Sequence, residues 1–138
     1  MSYIVKLSVE DRYNVLKYAH QLPSTLQTFF NFPAFREKLE FSPEDEKELD
    51  IKVVDGKITC NKPDLVFEYD LETFPKPILR AINQRVDEIK DEMEQLRKAH
   101  KEDKTFKDSP LFTAIVENLG KLVVPDELLK EPEEKTEG

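Results

Sequence analysis

From Leu79 to Leu96 the apolar residues Leu79, Ile82, Val86, Ile89, Met93 and Leu96 recur at alternating spacings of three and four. That is the a/d rhythm of an amphipathic helix, and it predicts one long helix over about 77–100. Pro75 and Pro77 mark its start. Such a seam must be covered, either by the chain's own core or by a second molecule. A seam this short makes a marginal coiled coil, and amphipathic helices usually face their own body. Cover from within the chain is therefore expected. Both arrangements coexist if the helix outruns the body it packs on. Ile89, Met93 and Leu96 are then candidate partner contacts, including a homodimer through helix 79–100.

Shorter patterns flank the seam. Residues 3–7 are β-prone and read as an edge strand or an ordered arm. Ser8 with Asp11 reads as a capping box that opens a helix running to about His20. Ser24 with Gln27 reads as a second box, ahead of an apolar face made by Leu26, Phe29 and Phe30. Pro33 interrupts that helix or begins the next, which carries Phe35 and Leu39. Ser42-Pro43-Glu44-Asp45 combines an N-cap, proline at the first helical position and acids in the first turn, and predicts a short helix ending near Asp50.

Asp55-Gly56 lies between Ile51-Lys52-Val53-Val54 and Lys57-Ile58-Thr59-Cys60. Asp-Gly supplies the positive φ angles of a type I′ turn, so a hairpin over 51–60 is expected. A further strand is expected over 65–69, where Leu65, Phe67 and Tyr69 alternate with polar neighbours. Ser109-Pro110 opens a last helix with the face Leu111, Phe112, Ile115, Val116 and Leu119, closed by Gly120. Together these patterns predict an α+β domain over 1–124. A small antiparallel sheet, made of hairpin 51–60 and strand 65–69, packs with four or five helices. An acidic tail over 125–138 is expected to be disordered.

Charge adds a second layer. The chain carries a net charge of −8. Residues 42–72 account for a net −6 and residues 109–138 for a net −4. An acidic surface repels phosphate backbones and anionic lipid, so neither nucleic acid nor a membrane is the expected partner. The acids Glu44, Asp45, Glu48, Glu68 and Asp70 become candidate contacts for a protein partner. One cysteine, Cys60, fits a reducing compartment and reads as a small core residue. With no secretory leader pattern and no long apolar run, a cytoplasmic protein is expected.

Candidate chemistry is thin. The acids between Glu44 and Asp50 do not follow a calcium-loop spacing, and the helix dipole already accounts for them. His20 and His100 have no partner at metal-ligand spacing. Three glycines do not build a phosphate-cradling loop. No cofactor, metal or catalytic residue is therefore assigned. A winged-helix reading is the alternative, with helix 33–40 on DNA and the Asp55-Gly56 hairpin as the wing. Against it, Glu37 and Glu40 offset Arg36 and Lys38, while Asp50 and Asp55 offset Lys52 and Lys57.

The run Arg36-Glu37-Lys38-Leu39-Glu40-Phe41-Ser42-Pro43-Glu44-Asp45 continues through Leu49 to Ile51-Lys52-Val53 and Asp55-Gly56-Lys57-Ile58-Thr59. It resembles small acidic proteins of tailed bacteriophages and prophages, in which an Arg-Glu-x-Leu-x-Phe-Ser-x-Glu-Glu helix junction precedes a hairpin and a further helix. The resemblance spans roughly residues 24–118, while the long helix and the acidic tail depart from it. Those proteins have no assigned biochemistry, so the resemblance implies a phage or prophage origin and carries over no functional residue. The expectation is a non-enzymatic protein that binds another protein, as an inhibitor or an adaptor, in one form through an acidic surface that mimics nucleic acid.

Overall fold

The computed structural model describes residues 3–22 and 25–129. It shows an α+β body. Strand β1 (Ile4–Ser8) leads into α1 (Val9–Tyr18), followed by a 3-10 turn over Ala19–Gln21. Next come α2 (Leu26–Leu39), α3 (Pro43–Glu48), and the strands β2 (Lys52–Val54), β3 (Lys57–Thr59) and β4 (Val66–Asp70). Helix α4 (Lys76–Ala99) and helix α5 (Pro110–Leu119) complete the set, with short 3-10 turns after β4 and after α5.

Local chemistry explains most of the boundaries. Ser8 and Asp11 exchange side-chain-to-backbone hydrogen bonds and start α1 as a capping box. Ser42 and Asp45 do the same for α3, with Pro43 in its first turn. Helix α2 starts one residue later than expected. Thr25 caps it with Thr28 as the reciprocal partner, and Ser24 lies outside the described residues. Pro33 neither breaks α2 nor starts a new helix; it sits inside one continuous element. Its missing N–H leaves the carbonyl of Phe29 without the usual donor from four residues on.

Helix α3 ends in a Schellman motif. The Ile51 N–H donates to Glu46 O at 2.9 Å and the Asp50 N–H to Lys47 O at 3.3 Å. Asp50 takes the left-handed position, φ 52°, where glycine is the usual choice. The β2–β3 turn is as expected, with positive φ at both Asp55 and Gly56 and Val53 opposite Ile58.

The strand over 65–69 forms, but it does not join the hairpin. β4 pairs antiparallel with β1, Leu7 opposite Phe67 and Val5 opposite Tyr69, while β2 and β3 stand as a separate two-stranded sheet. The reason is burial. The inward side of β1 carries Leu7 and needs an apolar cover, which Phe67 and Tyr69 supply. The hairpin leaves Val53 and Val54 exposed and has no such face to offer. Cys60 is half-buried rather than a core residue.

Helix α4 runs through the centre. Leu79, Ile82, Val86, Ile89 and Met93 of its seam are all buried, packed with Phe35 and Leu39 of α2 and with Ile115 and Leu119 of α5. In the last turn of α4, Arg97 grips Asp108 with two hydrogen bonds of 2.9 and 2.6 Å. His100 stacks on Phe106 at 4.7 Å. The chain does not leave the body at residue 125. Asp126–Leu129 form a turn, Leu128 and Leu129 pack against the core, and Arg80 donates to Leu129 O at 2.8 Å. The disorder expected further along falls on residues 130–138, which lie outside the described residues.

Candidate functional site

Helix α2 has two apolar faces, and only one of them is covered. Thr28, Phe32, Phe35 and Leu39 follow spacings of four, three and four and point to the body. Phe35 meets Phe74 edge-on, with ring centroids 6.0 Å apart. At 100° per residue, Leu26, Phe29, Phe30 and Pro33 lie roughly 140° around the helix from that face. Leu26 is 73% exposed, Phe29 70% and Phe30 71%. The rings of Phe29 and Phe30 contact each other at 5.5 Å in a T-shaped pair, so they form one patch rather than two isolated side chains.

An open groove of about 670 Å³ runs beside the patch. The turn at Ala19 and His20 forms one wall, and Leu26, Phe29, Phe32 and Pro33 form the other. His20 leans on Phe32, with centroids 5.9 Å apart. The stretch that builds the groove and patch carries no charge, and the first charged residues of α2 come after it, at Arg36 and Glu37. Residues 19–35 contain no Asp, Glu, Lys or Arg in a chain that is 36% charged. The hydrogen-bonding groups in this stretch are amides, hydroxyls and one imidazole.

The expected partner residues fall elsewhere. Ile89, 2% exposed, and Met93, 8% exposed, belong to the chain's own core and offer nothing to a second molecule. Leu96 is half-buried at the end of the seam. Cover from within the chain therefore extends along α4 as far as Met93. Among the five acids, Glu44, Glu48 and Glu68 are exposed. Asp45 is committed to the Ser42 cap. Asp70 accepts from the N–H groups of Tyr3 and Glu72, each at 3.1 Å. Two of the five thus hold backbone in place.

Two cations of the helix 33–40 segment also have partners. Arg36 lies 3.4 Å from Glu40, and Lys38 sits over the Phe74 ring while donating to Thr73. Arg12 is the notable buried cation, only 6% exposed. Its guanidinium stacks 4.1 Å from the Phe41 ring centroid and 4.7 Å from that of Phe67. Its Nε and Nη2 donate to the carbonyls of Leu39 and Glu40, which closes the C-terminal end of α2. Burial pulls its pKa below the ordinary arginine value, while Tyr69 and Asp45 act in the opposite direction. Burial likewise raises the Tyr69 hydroxyl. This cluster holds α1, α2 and β4 together.

Among the described residues, no three His, Cys, Asp or Glu side chains converge as a metal site. A second groove, about 520 Å³, lies between Arg80, Gln84 and Glu88 of α4 and Asp126. Its walls carry both signs of charge and no Ser, Thr, Cys, His or Lys. Among the described residues, no helix is long and apolar enough to cross a membrane.

Sequence reasoning named Leu26, Phe29 and Phe30 as an apolar face without saying what covers it. The signal that separates the two faces of α2 is the second stripe, Thr28-Phe32-Phe35-Leu39, which becomes readable once Pro33 is allowed inside the helix. No family model, curated protein or solved structure matches the chain.

Proposed function

We propose that this chain is a non-enzymatic interaction protein whose contact surface is the outer face of α2. The supporting observation is the uncovered patch Leu26, Phe29 and Phe30. A helix that is apolar on opposite sides is normally enclosed. Contiguous exposed apolar surface on a small protein usually marks a contact site. Among the described residues the other exposed large hydrophobics, Ile4, Val53, Val54, Leu65, Val66 and Leu111, lie at 36–63%, below the 70–73% of these three, while five residues of the α4 seam are buried. The resemblance of residues 24–118 to small phage and prophage proteins supports a viral or proviral origin for this interaction protein.

The test is site-specific photo-crosslinking in the cell that makes the protein. A photoreactive phenylalanine analogue at position 29 keeps the aromatic ring while reporting what lies on it. A discrete covalent adduct is expected from position 29 and none from position 90, which is exposed on the outer side of α4. Equal, diffuse labelling at both positions, or no adduct at either, would overturn the reading.

A further inference from the structure

We infer that the occupant of the α2 face is a second copy of the same chain, with the two α2 helices packed antiparallel about a two-fold axis. This inference rests on the contact role of that face. Three arguments support a self-contact.

The first is electrostatic. Two copies each carrying a net charge of −8 repel, so they can meet only where charge is absent or self-complementary. At the chain's average, a 17-residue stretch holds about six charged residues, and residues 19–35 hold none. A basic partner would be met by acids at the rim of the patch. The rim is Thr25, Gln27 and Asn31, uncharged groups that can donate and accept to their own copies, and Glu37, exposed one turn beyond Pro33 on the same face, which in the antiparallel arrangement lies toward the N-terminal end of the other copy's α2.

The second is geometric. Leu26 to Pro33 spans about two helical turns, roughly 10 Å. An isologous contact sets the same stripe against itself. In the antiparallel arrangement Leu26 of one copy faces Pro33 of the other, and the Phe29–Phe30 pair lies near the axis. The positive ends of the two helix dipoles then point apart.

The third is area. At the exposures given above, Leu26, Phe29 and Phe30 leave roughly 400 Å² of apolar surface in water. Two copies remove about 800 Å² through these side chains alone. The flanking groove walls bring the total to about 1,000–1,200 Å², the lower end of specific interfaces. An interface of this size is that of a reversible association, so its mass is followed as a function of concentration. Residues 130–138 are a poor substitute cover, since their side chains are charged apart from Pro132, Thr136 and Gly138.

The experiment is analytical ultracentrifugation of the full chain across the micromolar range. The mass should rise from 16.2 kDa toward twice that value with concentration. Phe29→Glu and Phe30→Glu should each hold it at the monomer, with the thermal midpoint of the monomer unchanged because both side chains are exposed. In a Cys60→Ser background, Phe30→Cys should oxidise to a disulfide-linked pair, whereas Glu88→Cys on α4 should not. A monomer at every concentration, or a dimer indifferent to Phe29 and Phe30, would overturn the inference. The photo-crosslinking result separates this outcome from failure of the wider reading. An adduct of twice the chain mass sustains both. An adduct of another mass overturns the self-contact alone, and no adduct overturns both.

Discussion

The side chain of Asn83 and the backbone of Val124 exchange two hydrogen bonds, Asn83 Nδ2 to Val124 O at 2.8 Å and Val124 N–H to Asn83 Oδ1 at 3.1 Å. The amide imitates a neighbouring strand and ties the chain after α5 back onto α4. Val124 is buried, so both of its polar backbone atoms depend on this one side chain. Asn83→Ala leaves a buried donor and acceptor unmatched. It should cost about 1–3 kcal/mol in urea unfolding. Asn83→Asp, which keeps the acceptor but loses the donor to the carbonyl, should cost a comparable amount at neutral pH.

Arg12 joins three elements through a planar group, and a lysine cannot replace it. A lysine ammonium reaches one carbonyl but cannot serve Leu39 O and Glu40 O from a fixed fork while lying flat against Phe41 and Phe67. Arg12→Lys should therefore destabilise the fold by about 2–4 kcal/mol. Arg36→Lys, at an exposed helix pair with Glu40, should stay within about 0.5 kcal/mol of the wild type. Parallel denaturation curves of the two variants make the comparison direct.

Asp50 holds a left-handed φ of 52° at the end of α3. Glycine has no Cβ to strain there, and the Schellman hydrogen bonds use only backbone. Asp50→Gly should raise stability by about 0.5–1 kcal/mol, net of the extra freedom that glycine gives the unfolded chain. The exposed contact with Lys52, at 3.7 Å, is lost at little cost. Calorimetry should show a higher melting temperature and an unchanged fold.

The acid response of the protein should include a contribution from Asp11. Burial alone would raise its carboxyl. The hydrogen bond from Lys121, bonds from Ser8 and the Lys121 charge outweigh burial and place the pKa below its ordinary 3.8. The unfolded chain therefore binds this proton more tightly, and stability rises with pH across the interval. The contribution is fully present above 3.8 and disappears as pH falls through the folded value. Lys121 is 39% exposed, so solvent screening limits the contribution to about 1 kcal/mol or less. Asp11→Asn should lie below wild type at pH 6, and the gap should close under acid conditions.

Parts of this structure were readable from local chemistry and parts were not. The α4 seam, the Ser8 and Ser42 capping boxes and the Asp55-Gly56 turn each depend on residues within a few positions of one another, and each forms as its residues dictate. The β1–β4 pairing joins segments that share no local signal, and only the need to bury Leu7 selects Phe67 and Tyr69 as its cover. The outer face of α2 was legible as apolar but not as uncovered. Leu26, Phe29 and Phe30 have the spacing of a core stripe, and only the packing of Phe35 and Leu39 on α4 shows that the core lies on the other side. Asp70 looked like surface charge, because the Tyr3 N–H that donates to it lies 67 residues away and leaves no local mark in the sequence.

The pairing of β1 with β4 also sets a timetable for folding. Leu7 and Phe67 are partners across a closed loop of about 60 residues that contains α1, α2, α3 and the hairpin. The entropy of closing that loop must be met before the strand contacts give anything back. The capped helices and the Asp55-Gly56 hairpin form on microsecond timescales by comparison. A chain that looks mostly helical therefore depends for its native state on long-range encounters, of α1 with α5 as well as of β1 with β4, and substitutions at Leu7 or Phe67 are expected to reach the folding rate.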